Sequence, residues 1–339
     1  MIVDAHAHFA GDVPEAVELL EELGLQVLNV CVAYDRAGRW REQAEGYRRL
    51  AAEHPRSYAW CTSFDPPGPD DGPGYADRII RGLERDFANG AVACKVWRNV
   101  GMELRNRTGG LIMVDDPLLQ PVFSYLECVG QTALMHIGEP QAAWQPLDGN
   151  PYRDVYVREP ELHLYGRAGL PPYGELIASR DRVLARHPDL RVVGAHLGSL
   201  EHDVAEIASR MDRHPNFAVD TSARLFSLAL QPRQAVRQFL IAYQDRVLFG
   251  SDVVAEQPLS TLAPAEREQA RRLLREAFES ARAFFGSGNE VMIRGRKTQG
   301  LELPAEVLDR LFSANARRWY PALNAERSAA PGPKALDPV

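Results

Sequence analysis

Short apolar runs alternate with amphipathic helical patterns along the whole chain. Strand-like runs occupy residues 2–8, 25–34, 57–64, 91–97, 132–137, 190–196, 216–221 and 246–250. Helical patterns follow at 14–23, 40–53, 75–87, 117–128, 173–186, 200–213, 233–243 and 304–319. Because helical crossovers join parallel strands, eight such units predict an α/β fold with a (β/α)8 barrel of the TIM type. An open doubly wound sheet is the alternative, although the glycine-rich first turn of that fold is absent.

Two connections are long enough to act as lids. Residues 139–172 follow the fifth strand, and residues 253–300 follow the eighth and contain a predicted extra helix at 264–285. Both leave the carboxyl ends of strands, where barrel enzymes have their active sites. We therefore expect a single domain at residues 1–322, with lid loops after strands five and eight, and a disordered tail at 323–339.

Composition excludes several classes of protein. The net charge of −7 opposes non-specific nucleic-acid binding, which needs a basic surface. No apolar run could span a bilayer, and the amino terminus lacks the features of a signal peptide, so we expect a cytoplasmic protein without membrane partners. The cysteines form no CxxC pair and are expected to be free thiols: Cys31, Cys61, Cys94 and Cys128. A chain of 339 residues needs no metal merely to fold, so a metal site would serve chemistry.

The first strand ends in Asp-Ala-His-Ala-His at residues 4–8. With the two-residue period of a strand, His6 and His8 point the same way, into the predicted barrel. Two neutral imidazoles at this spacing can bind one divalent cation. By itself the pair is weak evidence, because strand histidines more often pack in a core or on a surface.

Three other strand ends carry residues of the same chemistry. His136 ends strand five, His196 ends strand six and Asp252 follows strand eight. All lie at the carboxyl face, so this convergence predicts a metal site there. Three further histidines serve as an internal comparison, since each precedes a proline between a helix and a strand and is expected at the opposite face: His54, His187 and His214.

This pattern resembles the amidohydrolase superfamily, and within it the amidohydrolase-related group of aminocarboxymuconate-semialdehyde decarboxylase and several lactone hydrolases. The resemblance extends from Asp4 to about Tyr320, and its most specific pieces are the residue 4–8 motif, the two strand-end histidines and Gly-Ser-Asp at 250–252. It implies one divalent ion, Zn²⁺ with Mn²⁺ as the alternative. The ligands it implies are His6, His8, His136 and Asp252.

The resemblance also implies catalytic roles. An ion with an open position lowers the pKa of bound water towards ~7. Asp252 would take a proton from that water and return it to the leaving group, and His196 would donate to the developing oxyanion. Lys95, at the end of strand four, is a third catalytic candidate. In two-metal relatives a carboxylated lysine on this strand bridges two ions, but we favour one ion here, with Lys95 as a substrate or structural contact.

Substrate contacts are predicted at Trp97, Arg98 and Arg224, which suggest a small molecule with a carboxylate or a ring. Equally, these arginines could tie a lid to acidic residues. Asp220, on strand seven, is either an inward polar residue near the site or a contact within the barrel. We also expect a homo-oligomer.

Three functions follow from this pattern. The leading one is a metal-dependent hydrolase of a small amide, lactone or ester-like bond. The second is a non-oxidative decarboxylase or hydratase with the same metal site, since the family catalyses both kinds of reaction with one set of ligands. The third, of another class, is a metal-binding barrel without turnover.

Overall fold

Parallel strands arranged in sequence order form the sheet of this computed structural model, which describes residues 1–35 and 37–324. The bounds are β1 Ile2–Phe9, β2 Leu25–Val30, β3 Tyr58–Thr62, β4 Ala91–Val96, β5 Thr132–Met135, β6 Val192–Gly194, β7 Phe217–Asp220 and β8 Val247–Leu248. Each strand pairs with the next one in sequence. All eight predicted strands are present, and β2 to β8, seven of them, end earlier than predicted.

The sheet closes because the chain that leaves β8 returns to β1. β9, Val254–Ala255, pairs in parallel with the end of β1. The closing backbone hydrogen bonds, of 2.8–2.9 Å, run from Ala5 to Phe249, from Asp252 to His6 and from His8 to Val253. We call β1 together with residues 249–255 the closing seam. It joins the last strand to the first and confirms the predicted barrel.

Helices follow the strands as predicted and cover the outside of the barrel. Their bounds are Pro14–Leu23, Trp40–Glu53, Gly74–Ala88, Gln120–Cys128, Tyr173–Arg186, Val204–Arg213, Arg233–Ala242, Ala305–Asp309 and Asn315–Trp319. The bounds of the first helix follow from its sequence, because Pro14 is favoured at the first helical position and Gly24, at φ 62°, ends the helix. The last two were predicted as one helix, which a π-helical turn at Arg310–Ala314 divides.

One buried apolar cluster takes side chains from all eight strands and fills the barrel interior. It is built mostly from small and branched residues, among them Val3, Leu28, Cys61, Ala93, Leu134, Val193, Ala218 and Leu248. Trp319 and Tyr320 pack against this cluster, and the Trp319 carbonyl accepts from Thr132, the first residue of β5. They therefore close the amino-terminal end of the barrel and leave the carboxyl end for polar side chains.

The two long connections contain structure that the sequence pattern did not predict. The segment after β5 holds the short helix Arg153–Arg158. The segment after β8 holds the expected long helix, Pro264–Gly286, and then an antiparallel hairpin of β10, Glu290–Ile293, and β11, Arg296–Gln299. Another unpredicted helix, Leu225–Leu230, follows β7.

The predicted tail lies almost wholly outside the described residues. Leu323 and Asn324 belong to the 3-10 turn Pro321–Asn324, whereas residues 325–339 are not described. The division into a 1–322 domain and a tail stays a prediction. Within residues 1–35 and 37–324, no helix combines the length and apolar character that a membrane span requires.

Phe278 joins the long helix to the barrel, and its removal should destabilise the fold. Its ring is buried, with centroids 6.1 Å from Phe249 and 6.3 Å from Phe312. Phe278→Ala should lower the free energy of unfolding in urea by about 3–5 kcal/mol, because it leaves a cavity. Leu273→Ala, on an exposed position of the same helix, should change it by less than about 0.5 kcal/mol. Equal effects of the two variants would show that this contact does not anchor the helix.

Candidate active site

The carboxyl ends of the strands surround a cavity of about 200 Å³. Seven predicted site residues line it: His6, His8, Lys95, Trp97, His136, His196 and Asp252. Four lining residues were not predicted: Val32, Tyr34, Val254 and Glu256. Arg98 and Arg224, predicted to contact substrate, are not among the lining residues. The structure therefore brings most of the predicted site to one place.

His6 stands at the centre of this site and is held by Asp220. Its Nδ1 lies 2.8 Å from Asp220 Oδ2, and both side chains are buried. An ionised carboxylate at that distance orients the ring and leaves Nε2 free to act as a ligand. His6 Nε2 lies 3.7 Å from Asp252 Oδ1 and 3.2 Å from Lys95 Nζ. His8 Nε2 approaches the same Asp252 oxygen at 3.5 Å.

These distances suit a shared cation. The donor atoms of His6, His8 and Asp252 all lie within 4.8 Å of one another. Ligands at 2.0–2.2 Å from a tetrahedral ion are about 3.4 Å apart, close to the observed spacings, which are long for direct hydrogen bonds. In the described part of the chain, His8 Nδ1 and His136 Nε2 are buried without a hydrogen-bond partner. The residues present therefore fit a divalent metal ion.

His136 lies in the cavity but outside that three-residue cluster. Its ring centroid is 4.3 Å from that of His196. A second group of donor atoms within 4.8 Å comprises His6, His196 and Asp220. His196 and Asp220 thus have donor atoms within 4.8 Å of those of His6, whereas the predicted fourth ligand, His136, belongs to neither group among the described residues.

Burial sets the protonation states that a metal needs. It lowers the pKa of His6, lowers that of His136 well below its usual value, and brings the pKa of His196 to about 3. Burial alone would raise the pKa of Asp252, but the surrounding imidazoles hold it well below its usual range. Burial also lowers the pKa of Lys95 to about 8, against the attraction of two aspartates. At neutral pH the ionised Asp252 carboxylate therefore faces the neutral rings of His6 and His196.

The chain bends sharply where β6 ends and delivers His196. The residues with positive φ are His196 at 57°, Leu197 at 59°, Gly198 at 64° and Ser199 at 56°. The left-handed region costs an L-residue roughly 1–2 kcal/mol. The His196 amide donates to Asp220 Oδ1 at 2.9 Å, which helps to hold the bend. Asp252 is also left-handed, with φ 61°, so backbone strain collects at site residues.

Asp220 is an inward polar residue of the site, which decides between the two predicted interpretations. Besides His6 and the His196 amide, it accepts from the Ser222 hydroxyl. Ser222 Oγ in turn lies 2.9 Å from His196 Nδ1 and 3.1 Å from His6 Nδ1. Burial opposes ionisation of Asp220, but His6 and His196 hold its pKa well below the usual range. Ser222 was missed, because a single serine after a strand carries no distinctive signal.

Asp4 holds the backbone next to the site through hydrogen bonds. Its Oδ1 accepts from the amides of Ser251 at 2.9 Å and His6 at 3.2 Å. Burial raises its pKa to about 7. Asp4 therefore links the two sides of the closing seam beside Asp252.

The predicted substrate contacts differ in their placement. Trp97 lines the cavity with its ring edge-on to Tyr34, at 4.6 Å between centroids. Arg98 stacks over Trp97, and its Nε lies 2.6 Å from Glu139. The alternative interpretation, in which arginines tie a lid to acidic residues, thus describes this contact of Arg98. Arg224 Nε is buried and has no hydrogen-bond partner among the described residues.

Comparisons with known proteins agree with this geometry. The family model described as amidohydrolase matches residues 3–322. None of the curated proteins matches the chain. Among solved structures, 4-oxalomesaconate hydratase LigJ from Rhodopseudomonas palustris shares 15% identity and a TM-score of 0.56, over 96% of this chain and 97% of that one.

Two decarboxylases have the same fold. 2,6-Dihydroxybenzoate decarboxylase from Rhizobium is 16% identical, with a TM-score of 0.53 over 91% of this chain and 88% of its own. 5-Carboxyvanillate decarboxylase LigW from Sphingomonas paucimobilis is 17% identical, with a TM-score of 0.52 over 91% and 83%. At these identities the likeness shows the shared barrel.

Metal content should separate the two faces of the barrel. His6→Ala or Asp252→Ala removes a donor atom from the cluster, so each should lower bound metal more than tenfold, measured by elemental analysis after growth with Zn²⁺ or Mn²⁺. His187→Ala should leave metal content unchanged, because that ring contacts Glu127 and Gln120 instead.

Two results would contradict this assignment. A loss of metal in His187→Ala equal to that in His6→Ala would place the ion elsewhere. Less than about a tenth of an ion per wild-type chain, even after supplementation, would argue against any metal site.

Proposed function

The chain belongs to the amidohydrolase family, and from that premise we propose that it is a metal-dependent hydrolase of a small, carboxylate-bearing lactone, ester or amide. The observation that carries the proposal is the ionised Asp252 carboxylate between His8 and His196 at the cavity. Membership of an enzyme family disfavours a barrel without turnover.

A divalent ion held by His6, His8 and Asp252, with His136 as the fourth candidate, supplies Lewis-acid charge and a more acidic bound water. The mixture of imidazole and carboxylate donors supports Zn²⁺ first and Mn²⁺ second. We propose one ion, because the Lys95 ammonium lies 3.2 Å from His6 Nε2 and supplies positive charge there itself. A second ion on carboxylated Lys95 is the lesser alternative.

Asp252 acts as the base in this proposal. Its low pKa means that it is unprotonated in the free enzyme and ready to accept a proton from water. His196 is neutral, and its Nδ1 lies 2.9 Å from Ser222 Oγ and 3.0 Å from the Ser222 carbonyl. Because the Ser222 carbonyl can only accept, Nδ1 carries the proton of the neutral ring and Nε2 is an acceptor. His196 would therefore stabilise negative charge on the carbonyl oxygen only after Nε2 has taken up a proton.

Positive charge around the cavity supports an anionic substrate. Lys95 is buried at the cavity wall. Arg224 Nε is a buried donor without a hydrogen-bond partner among the described residues. The aromatic walls Trp97 and Tyr34 suit a planar group beside the carboxylate. Arg98 has guanidinium donors beyond those that contact Glu139 and Glu103, so it remains a proposed contact.

Non-oxidative decarboxylation is the second candidate. Two of the structures with this fold are named as decarboxylases, of 2,6-dihydroxybenzoate and of 5-carboxyvanillate, and a third is named as a hydratase. The same positive charges that favour a carboxylate substrate fit this reaction as well. It would require a group at the site, such as Asp252 or His196, to deliver a proton to carbon.

Product analysis in ¹⁸O-water should separate the two reactions. The metal-loaded enzyme is incubated with small carboxylated lactones and esters and with hydroxybenzoates, and products are analysed by mass spectrometry. We expect ¹⁸O in the product and no carbon dioxide. Stoichiometric carbon dioxide without ¹⁸O would overturn hydrolysis in favour of decarboxylation. Asp252→Asn should lower kcat/KM by at least about 10²-fold, and the exposed Asp154→Asn should not change it.

A further inference from the structure

We propose that Arg180 and Tyr173 are positioning residues for His196. They hold the left-handed turn of residues 196–199, and through it they set where the imidazole meets the substrate. The inference rests on the proposed function in one respect, namely that His196 acts on the substrate.

The two side chains approach the turn from one helix, Tyr173–Arg186. Arg180 is fully buried, and its Nη1 donates to the Gly198 carbonyl. The Tyr173 hydroxyl donates to the Ser199 carbonyl. Two successive carbonyls of the turn are therefore held by side chains. The backbone bonds of the turn include those from the Ser199 amide to the His196 carbonyl and from the Leu200 amide to the Leu197 carbonyl, both of 3.2 Å.

Arg180 has partners that account for its burial without involving the turn. Its Nε and Nη2 lie 3.2 and 2.8 Å from Asp181 Oδ1, and its guanidinium lies 4.6 Å from the centroid of the Phe217 ring. Asp181 also accepts from Arg210 Nε at 3.4 Å. Arg210 thus shares the acidic partner but does not contact the turn, which makes it a matched control.

The packing around the turn leaves little space for another conformation. A Cβ at Gly198 would come within 2.9 Å of Phe217 Cζ and 3.0 Å of Arg180 Nη1, and one at Gly194 would come within 2.7 Å of the Gly198 Cα. Ser199 Oγ donates to the Gly138 carbonyl at 3.3 Å. The turn is therefore enclosed on one side and held by hydrogen bonds on the other.

The position of His196 depends on the hydrogen bonds and packing that hold the turn. Its amide is held by Asp220 and its Nδ1 lies beside Ser222, but its Cα belongs to a conformation that L-residues disfavour. Without the carbonyl partners, the turn can relax and the ring can shift. A displacement of about 1 Å at such a group can cost on the order of 10²-fold in rate.

Kinetics provides the first arm of the test. Tyr173→Phe removes one hydroxyl and little volume, and Arg180→Lys keeps the charge but not the planar donors. Each should lower kcat on the order of 10-fold to 100-fold, with KM and metal content unchanged. Arg180→Gln should lose more than Arg180→Lys, and Arg210→Gln should stay within about 3-fold of wild type. Unchanged kcat in Tyr173→Phe, or an equal loss in Arg210→Gln, would overturn the proposal.

A second arm does not depend on turnover. Hydrogen exchange of peptides covering residues 194–203 should be at least about tenfold faster in Tyr173→Phe and unchanged in Arg210→Gln. The ¹⁵N NMR signal of His196 Nδ1 should move in Tyr173→Phe as its contact with Ser222 changes. Unchanged exchange and an unmoved signal would overturn the inference. If wild type turned over no substrate, the proposed function would fail while this arm still decided the positioning role.

Discussion

Barrel closure is the constraint on which the site depends. The hydrogen bond from the Asp252 amide to the His6 carbonyl joins the end of the eighth strand to the first. The same bond places the Asp252 carboxylate opposite the two histidines of β1. Asp4 reinforces the junction through the Ser251 amide. The cluster that fits a metal ion therefore lies across the closing seam, and it is complete only when the barrel is closed.

The buried Asp220 carboxylate orients the histidines beside the closing seam. Asp220 contacts the His6 ring and the His196 amide, and so fixes the ring orientation of one histidine and the backbone of the other. Burial favours the neutral form of His196, and the hydrogen bonds that Asp220 accepts from His6 and Ser222 favour the ionised form of its carboxyl group. These states favour a cation at the site. The backbone strain at His196 and Asp252 is the structural cost of aiming both at one cavity.

The fold and the main site residues were largely predictable because they follow from local periodicity. The positions of His6 and His8 follow from the two-residue period of a strand, although the register with β2 shifts between Asp4 and Ala7. His136, His196 and Asp252 follow from the rule that barrel sites lie at the carboxyl ends of strands.

What could not be predicted depends on contacts between distant segments. The role of Asp220 could not be predicted because its partner, His6, is separated from it by 214 residues in the sequence. The left-handed turn contains only one glycine, so its conformation is imposed by Arg180 and Tyr173 from another helix. The hairpin β10–β11 turns at Arg294-Gly295, which lacks the usual Asn-Gly or Asp-Gly signal.

The closing seam has a consequence for how the protein is made. His6 and His8 leave the ribosome well before Asp252, which follows His8 by 244 residues in the sequence. One edge of the first strand therefore has no partner strand until residues 249–255 have been synthesised and have paired with it. A divalent ion at this site would therefore find the donors of His6, His8 and Asp252 together only after the barrel has closed, and a chain interrupted before Asp252 would lack one of them.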